Sequence, residues 1–109
     1  MIDIREYETA DGASPFGDWF ARLDAQAAAK VTIIVTRLGQ GNFSRVKGVG
    51  GGVFEYVLDW GPGFRIYFGK DGDRIVILLG GGTKTRQQRD IGDARACWQD
   101  YKARRKGKA

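Results

Sequence analysis

With no histidine and a single cysteine, Cys97, in 109 residues, any chemistry this chain performs must use Lys, Arg, Tyr, Asp or Glu. Two stretches gather those residue types. In Phe64-Arg65-Ile66-Tyr67-Phe68 the alternation puts Arg65 and Tyr67 on one side of a strand and the apolar residues on the other, so a cation and a phenol share a face. In the preceding run, Glu55, Val57 and Asp59 alternate with Phe54, Tyr56 and Leu58. A hairpin would bring Glu55 near Arg65 or Tyr67, where a cross-strand ion pair alone contributes about 0.2–1 kcal/mol. The second stretch runs from Gly80-Gly81-Gly82 to Arg89, and in it Thr85 and Gln88 fit the S/T-x-x-E/Q capping box. That box sets a helix N-terminus beside Lys84, Arg86 and Arg89. Free N–H groups, the positive dipole end and these cations then form an anion site for phosphate or carboxylate, the dipole alone contributing about 0.3–1 kcal/mol at the surface. Thr83 rather than glycine precedes Lys84, which excludes the nucleotide-binding P-loop order.

The elements that position these residues follow from local patterns. Ile2 to Glu8 alternates as a first strand, and Ser14 with Pro15 starts a short helix carrying Phe16, Trp19, Phe20 and Leu23 at helical spacing. Asp24 caps a second helix through Ala27, Val31, Ile34, Val35 and Leu38, stopped by Gly39. Lys47 precedes Gly48 to Gly52, which read as a mobile glycine loop. Val53 to Asp59 and Phe64 to Gly69 pair across Gly61-Pro62-Gly63, and Asp71-Gly72 predicts a two-residue type I′ turn into Ile75 to Leu79. The apolar run ends at Gly80. A last amphipathic helix shows Ile91, Ala94, Trp98 and Tyr101 on one face and Arg89, Arg95 and Lys102 on the other, with Cys97 as a buried, inert thiol.

The order is β-α-α-β-β-β-α, an α+β fold with a small antiparallel sheet, an N-terminal helix hairpin and a C-terminal helix. One sheet face is expected to be buried and the other to be partly open or differently covered. The size fits one domain over residues 1–103, followed by a basic tail at 104–109 read as solvated charge. Through Thr83 there are nine basic and ten acidic residues, and from Lys84 onward nine against three. That asymmetry suits a phosphate backbone or an acidic partner. No apolar leader and no long apolar span occur, so a soluble, cytoplasmic protein without membrane contact is expected.

Across nearly its whole length the chain resembles toxins of the RelE/ParE superfamily, in particular the HigB-like, phage-related addiction module killer proteins. The residues that carry the resemblance are Ser14-Pro15-Phe16 with Trp19, Gly41-Asn42-Phe43 with Val46-Lys47, Gly61-Pro62-Gly63-Phe64-Arg65-Ile66-Tyr67-Phe68, and Leu79-Gly80-Gly81 through Lys84 to Gln88-Arg89-Asp90-Ile91. The resemblance implies a RelE-like fold and a type II toxin neutralised by a helix-turn-helix, HigA-like antitoxin, with DNA reached only through that partner. For many relatives it implies mRNA cleavage on the ribosome, without metal or cofactor. In such cleavage the 2′-hydroxyl attacks the adjacent phosphate, so cations must stabilise the phosphorane and protons must be taken and given. Carried over by residue, Arg65 and Lys84 stabilise charge, and Tyr67 positions the substrate or transfers a proton. Lys47 contacts phosphate or acts as base, while Thr85, Arg86 and Arg89 bind the RNA backbone. Val57 stands where relatives carry arginine, and Thr83 where they carry an acidic residue. These departures leave open a gyrase-binding toxin of the ParE type, and a catalytically weak relative acting as antitoxin binder or co-repressor.

Overall fold

In a computed structural model that describes residues 1–107, five strands and three helices follow one another. They are β1 (Asp3–Glu6), α1 (Pro15–Ala21), α2 (Ala25–Gly39), β2 (Val46–Gly50), β3 (Val53–Leu58), β4 (Phe64–Asp71), β5 (Ile75–Thr83) and α3 (Gln87–Gly107), with a single 3-10 turn, Lys84–Arg86, before α3. The local signals behind α1 and α2 act as expected. Ser14 Oγ accepts the amide of Gly17 at 3.0 Å, Pro15 opens the helix, and Asp24 Oδ1 accepts the amide of Ala27 at 2.8 Å.

The sheet differs from the expectation in three ways. Its order is β1-β5-β4-β3-β2, and β1 runs parallel to β5, so the sheet is mixed rather than antiparallel. Residues Val46–Gly50 form β2 and pair with β3, although Gly48 to Gly52 are expected as a mobile loop, and the element order gains a strand. What holds this glycine-rich segment is tertiary. The Arg95 guanidinium donates to the Val49 carbonyl, and the Trp98 indole lies where a Cβ on Gly52 would sit. Between β4 and β5, Asp71 pairs with Ile75, leaving the three-residue loop 72–74 with only Gly72 at positive φ. A type I′ turn would need a second positive φ, which aspartate adopts at a cost that the third residue removes.

Both faces of the sheet are covered, and of the two expectations for the second face it is the different cover, by α3, that holds. On one side α1 and α2 bury Phe16, Val31, Ile34 and Leu38 against Tyr56, Ile66, Phe68, Val76 and Leu78. On the other, Ile91, Ala94 and Trp98 of α3 pack on Val53, Tyr67, Ile77 and Leu79. Alternation along Val76 to Leu79 feeds both layers, as a doubly covered strand requires. Among the described residues no helix is long and apolar enough to cross a membrane.

Two close approaches fix the layers. The Trp98 ring occupies the space of a side chain at Gly69, and the Trp19 ring does so at Gly81. Gly81→Ala is therefore expected to cost about 1–3 kcal/mol by forcing Trp19 off its position, read as a lower melting temperature.

The far end of α3 is held by side chains. Tyr7 donates to Asp100 Oδ2 at 2.7 Å, Tyr101 donates to Asp71 Oδ2 at 2.6 Å, and Arg105 Nη1 lies 2.7 Å from Asp71 Oδ1. Arg104 pairs with Asp100 at 2.8 Å and donates to the Glu8 carbonyl. The basic run from Arg104, expected as a solvated tail, thus continues α3 through Gly107. Lys108 and Ala109 lie outside the described residues.

Candidate functional site

The Gly61-Pro62-Gly63 turn places the site. Gly61 and Gly63 hold positive φ of 58° and 78°, which folds the chain so that the Gly63 carbonyl faces the end of β5. That one carbonyl accepts from Arg65 Nη1 at 2.8 Å and from the Lys84 amide at 3.0 Å. Arg65 and Lys84, far apart in sequence, are brought together there. Arg65 is buried, with 8% of its surface exposed, and its Nε has no partner, while the Lys84 side chain is exposed.

Strand register assembles the rest. Glu55 pairs with Tyr67 across β3 and β4, and Val57 with Arg65. Glu55 is fully buried and makes no ion pair with Arg65. Its Oε2 accepts from Gln87 Nε2 at 2.9 Å, and its Oε1 lies 3.6 Å from Lys47 Nζ. Lys47 reaches the site because β2 pairs it with Glu55, and its side chain remains 62% exposed. A buried carboxylate thus ties the β2 cation to the first residue of α3.

Tyr67 is also fully buried, and its hydroxyl sits beside the Glu55 carboxylate without a hydrogen bond of good geometry. Burial first, then the charges of Glu55 and Asp90, push the phenol far above the usual tyrosine range. It stays protonated at neutral pH and offers a donor rather than a base. Burial likewise raises the Asp90 carboxyl, with Arg86 opposing. Leaving a hydroxyl unpaired costs about 1–3 kcal/mol, so Tyr67→Phe is expected to leave urea stability unchanged or raise it by ~1 kcal/mol. A drop of that size instead would show that the hydroxyl is tied down structurally.

The capping box does not form. Strand β5 runs on through the three glycines to Thr83, and the chain enters α3 through the 3-10 turn, so Thr85 lies inside that turn and α3 begins at Gln87. Thr83 precedes the turn without a side-chain cap. Lys84, Thr85, Arg86 and Arg89 are all exposed and line one shallow concavity around this turn. The phosphate-binding candidates therefore share a surface, though not the predicted helix end. Arg95 is engaged by the β2 carbonyl and does not join them. Gln87 and Asp90 were not singled out from the sequence. Asp90 lies where a side chain at Gly82 would stand, a contact across elements with no local signature.

These elements define a small α+β domain with a buried polar cluster at one end of a mixed sheet and a rim of cations above it. No family model matches the chain. A Haemophilus influenzae protein described as an uncharacterized protein is 38% identical over 86 residues, which is 78% of this chain and 87% of that protein. The chain belongs to the same family as this Haemophilus influenzae protein.

Proposed function

We propose that the chain is the toxin of a type II toxin–antitoxin module, a RelE-like, metal-independent endonuclease that cuts mRNA on the ribosome. The observation that carries the reading is that the Arg65 guanidinium and the Lys84 backbone amide meet on the Gly63 carbonyl, on the same strand face as the protonated Tyr67 hydroxyl. The Arg65 guanidinium stabilises the charge of a phosphorane, the exposed Lys84 side chain leaves the same turn, and a phenol supplies a proton donor. Lys47, Arg86 and Arg89 then hold the flanking phosphates, and a helix-turn-helix antitoxin in the cytoplasm neutralises the protein. The resemblance of the Gly61–Phe68 and Leu79–Ile91 segments to HigB-like toxins supports the same reading.

Arg65 and Tyr67 are nearly closed off, so binding of RNA must draw the 3-10 turn outward or lead the strand across the Gly63 end. The test is induction in bacteria lacking any antitoxin. Growth arrest with loss of translated mRNA supports the proposal, and unimpaired growth at full expression contradicts it.

A second reading is favoured by one position. Val57 stands directly opposite Arg65, and the HigB-like toxins that the chain resembles carry arginine there, so the working face has one cation fewer. A toxin of this fold that binds DNA gyrase would not need that cation. Inhibited supercoiling with intact mRNA would select this reading.

A further inference from the structure

A second feature lies next to the cation pair. Between α1, the end of β5 and α3 there is a cleft of about 370 Å³, within the size range of small-ligand sites. Its floor is Gly80 to Gly82, and its walls carry Tyr67, Arg22, Arg86, Asp90 and Asp93. Three observations say that it is built to hold something. Tyr67 lines it, with a fully buried hydroxyl that makes no hydrogen bond of good geometry. A Cβ on Gly80 would meet no atom within 4 Å, so the sheet leaves space there that a side chain would otherwise fill. Strand β1 pairs with β5 only along Ile75 to Leu78, so the edge of β5 bordering the cleft has no strand partner.

The chemistry of the walls selects the ligand class. Arg22 and Arg86 oppose Asp90 and Asp93, so neither a bare anion nor a cation is matched. Tyr67 offers a donor, the carboxylates offer acceptors, and the open backbone at Gly80, between Trp19 over Gly81 and Asp90 over Gly82, lets a flat ring approach. A planar heterocycle with donor and acceptor on its edge meets all three. Arg86 lines both this cleft and the concavity that holds Lys84.

We propose that the cleft floored by Gly80 to Gly82 takes up a nucleobase, with the attached phosphate at Arg86. The base belongs to an RNA strand if the nucleolytic reading holds, and that reading supplies only the source. A free nucleotide presents the same chemistry.

The test follows the amide signals of Gly80, Gly81 and Gly82 by NMR in the purified chain. AMP, GMP, CMP and UMP are titrated separately, with ribose 5-phosphate and inorganic phosphate as controls. At least one nucleotide should shift these signals saturably and the controls should not. Gly80→Val, which fills the open space without a backbone clash, should abolish the shift in a chain that remains folded. Tyr67→Phe should weaken binding roughly threefold to tenfold. A 2′-O-methyl RNA tetramer binding at least tenfold more tightly than the mononucleotide assigns the base to RNA, and equal affinity assigns it to a free nucleotide. Shifts produced equally by phosphate, no saturable nucleotide, or full binding by Gly80→Val would overturn the proposal. Growth arrest on induction is read separately, so a harmless protein that still binds nucleotide defeats the nucleolytic reading and leaves this one standing.

Discussion

Arg65→Ala is expected to lower mRNA cleavage in a reconstituted translation reaction by roughly 10²–10³-fold, the loss seen when one preorganised charge-stabilising donor is removed. The structure explains why the effect should be on chemistry more than on folding. Arg65 makes one hydrogen bond, to the Gly63 carbonyl, and its Nε is unpartnered, so truncating this buried side chain costs about 1–3 kcal/mol, mostly in lost packing. Lys84 remains bound to the same carbonyl through its amide and keeps the turn in place. The variant should remain folded, with a moderately lower melting temperature, while losing activity. A variant as active as the parent would remove Arg65 from the mechanism.

The largest effect on stability should come from Trp98→Ala, at about 3–5 kcal/mol by urea unfolding. Trp98 is 5% exposed, fills the space over Gly52 and Gly69, and stacks on Tyr101 with ring centroids 5.2 Å apart. Against a typical total of about 5–15 kcal/mol, that loss removes much of the reserve. It also reaches the site, because α3 begins at Gln87, whose amide holds the buried Glu55 carboxylate. The variant should therefore lose activity through disordering of the first turn of α3. Stability within 1 kcal/mol of the parent would contradict the packing described for this face.

Why some of this was legible in the sequence and some was not follows from the range of the interactions. Ser14 and Asp24 act on amides three residues away, so the starts of α1 and α2 could be read directly. The side-chain period of two placed Arg65 and Tyr67 on one face and set Glu55 across from them. Strand β2 was hidden because Gly48 and Gly50 carry no strand preference of their own, and the contacts that hold it come from Arg95 and Trp98. The parallel pairing of β1 with β5 joins segments about seventy residues apart, beyond any local pattern. Thr85 and Gln88 matched the capping pattern, yet β5 extended past the glycines and shifted the helix start to Gln87. The same shift explains why Gln87 and Asp90, which contact Glu55 and Gly82 across elements, gave no signal in advance.

The proposed joint action of Arg65 and Lys84 on a phosphate in translated mRNA is checked by mapping mRNA 5′ ends after induction of the parent and of Arg65→Ala in bacteria without antitoxin. New ends confined to translated frames in the parent and missing in the variant are the predicted result. Growth arrest with an unchanged set of 5′ ends, or identical cleavage by the variant, would contradict it.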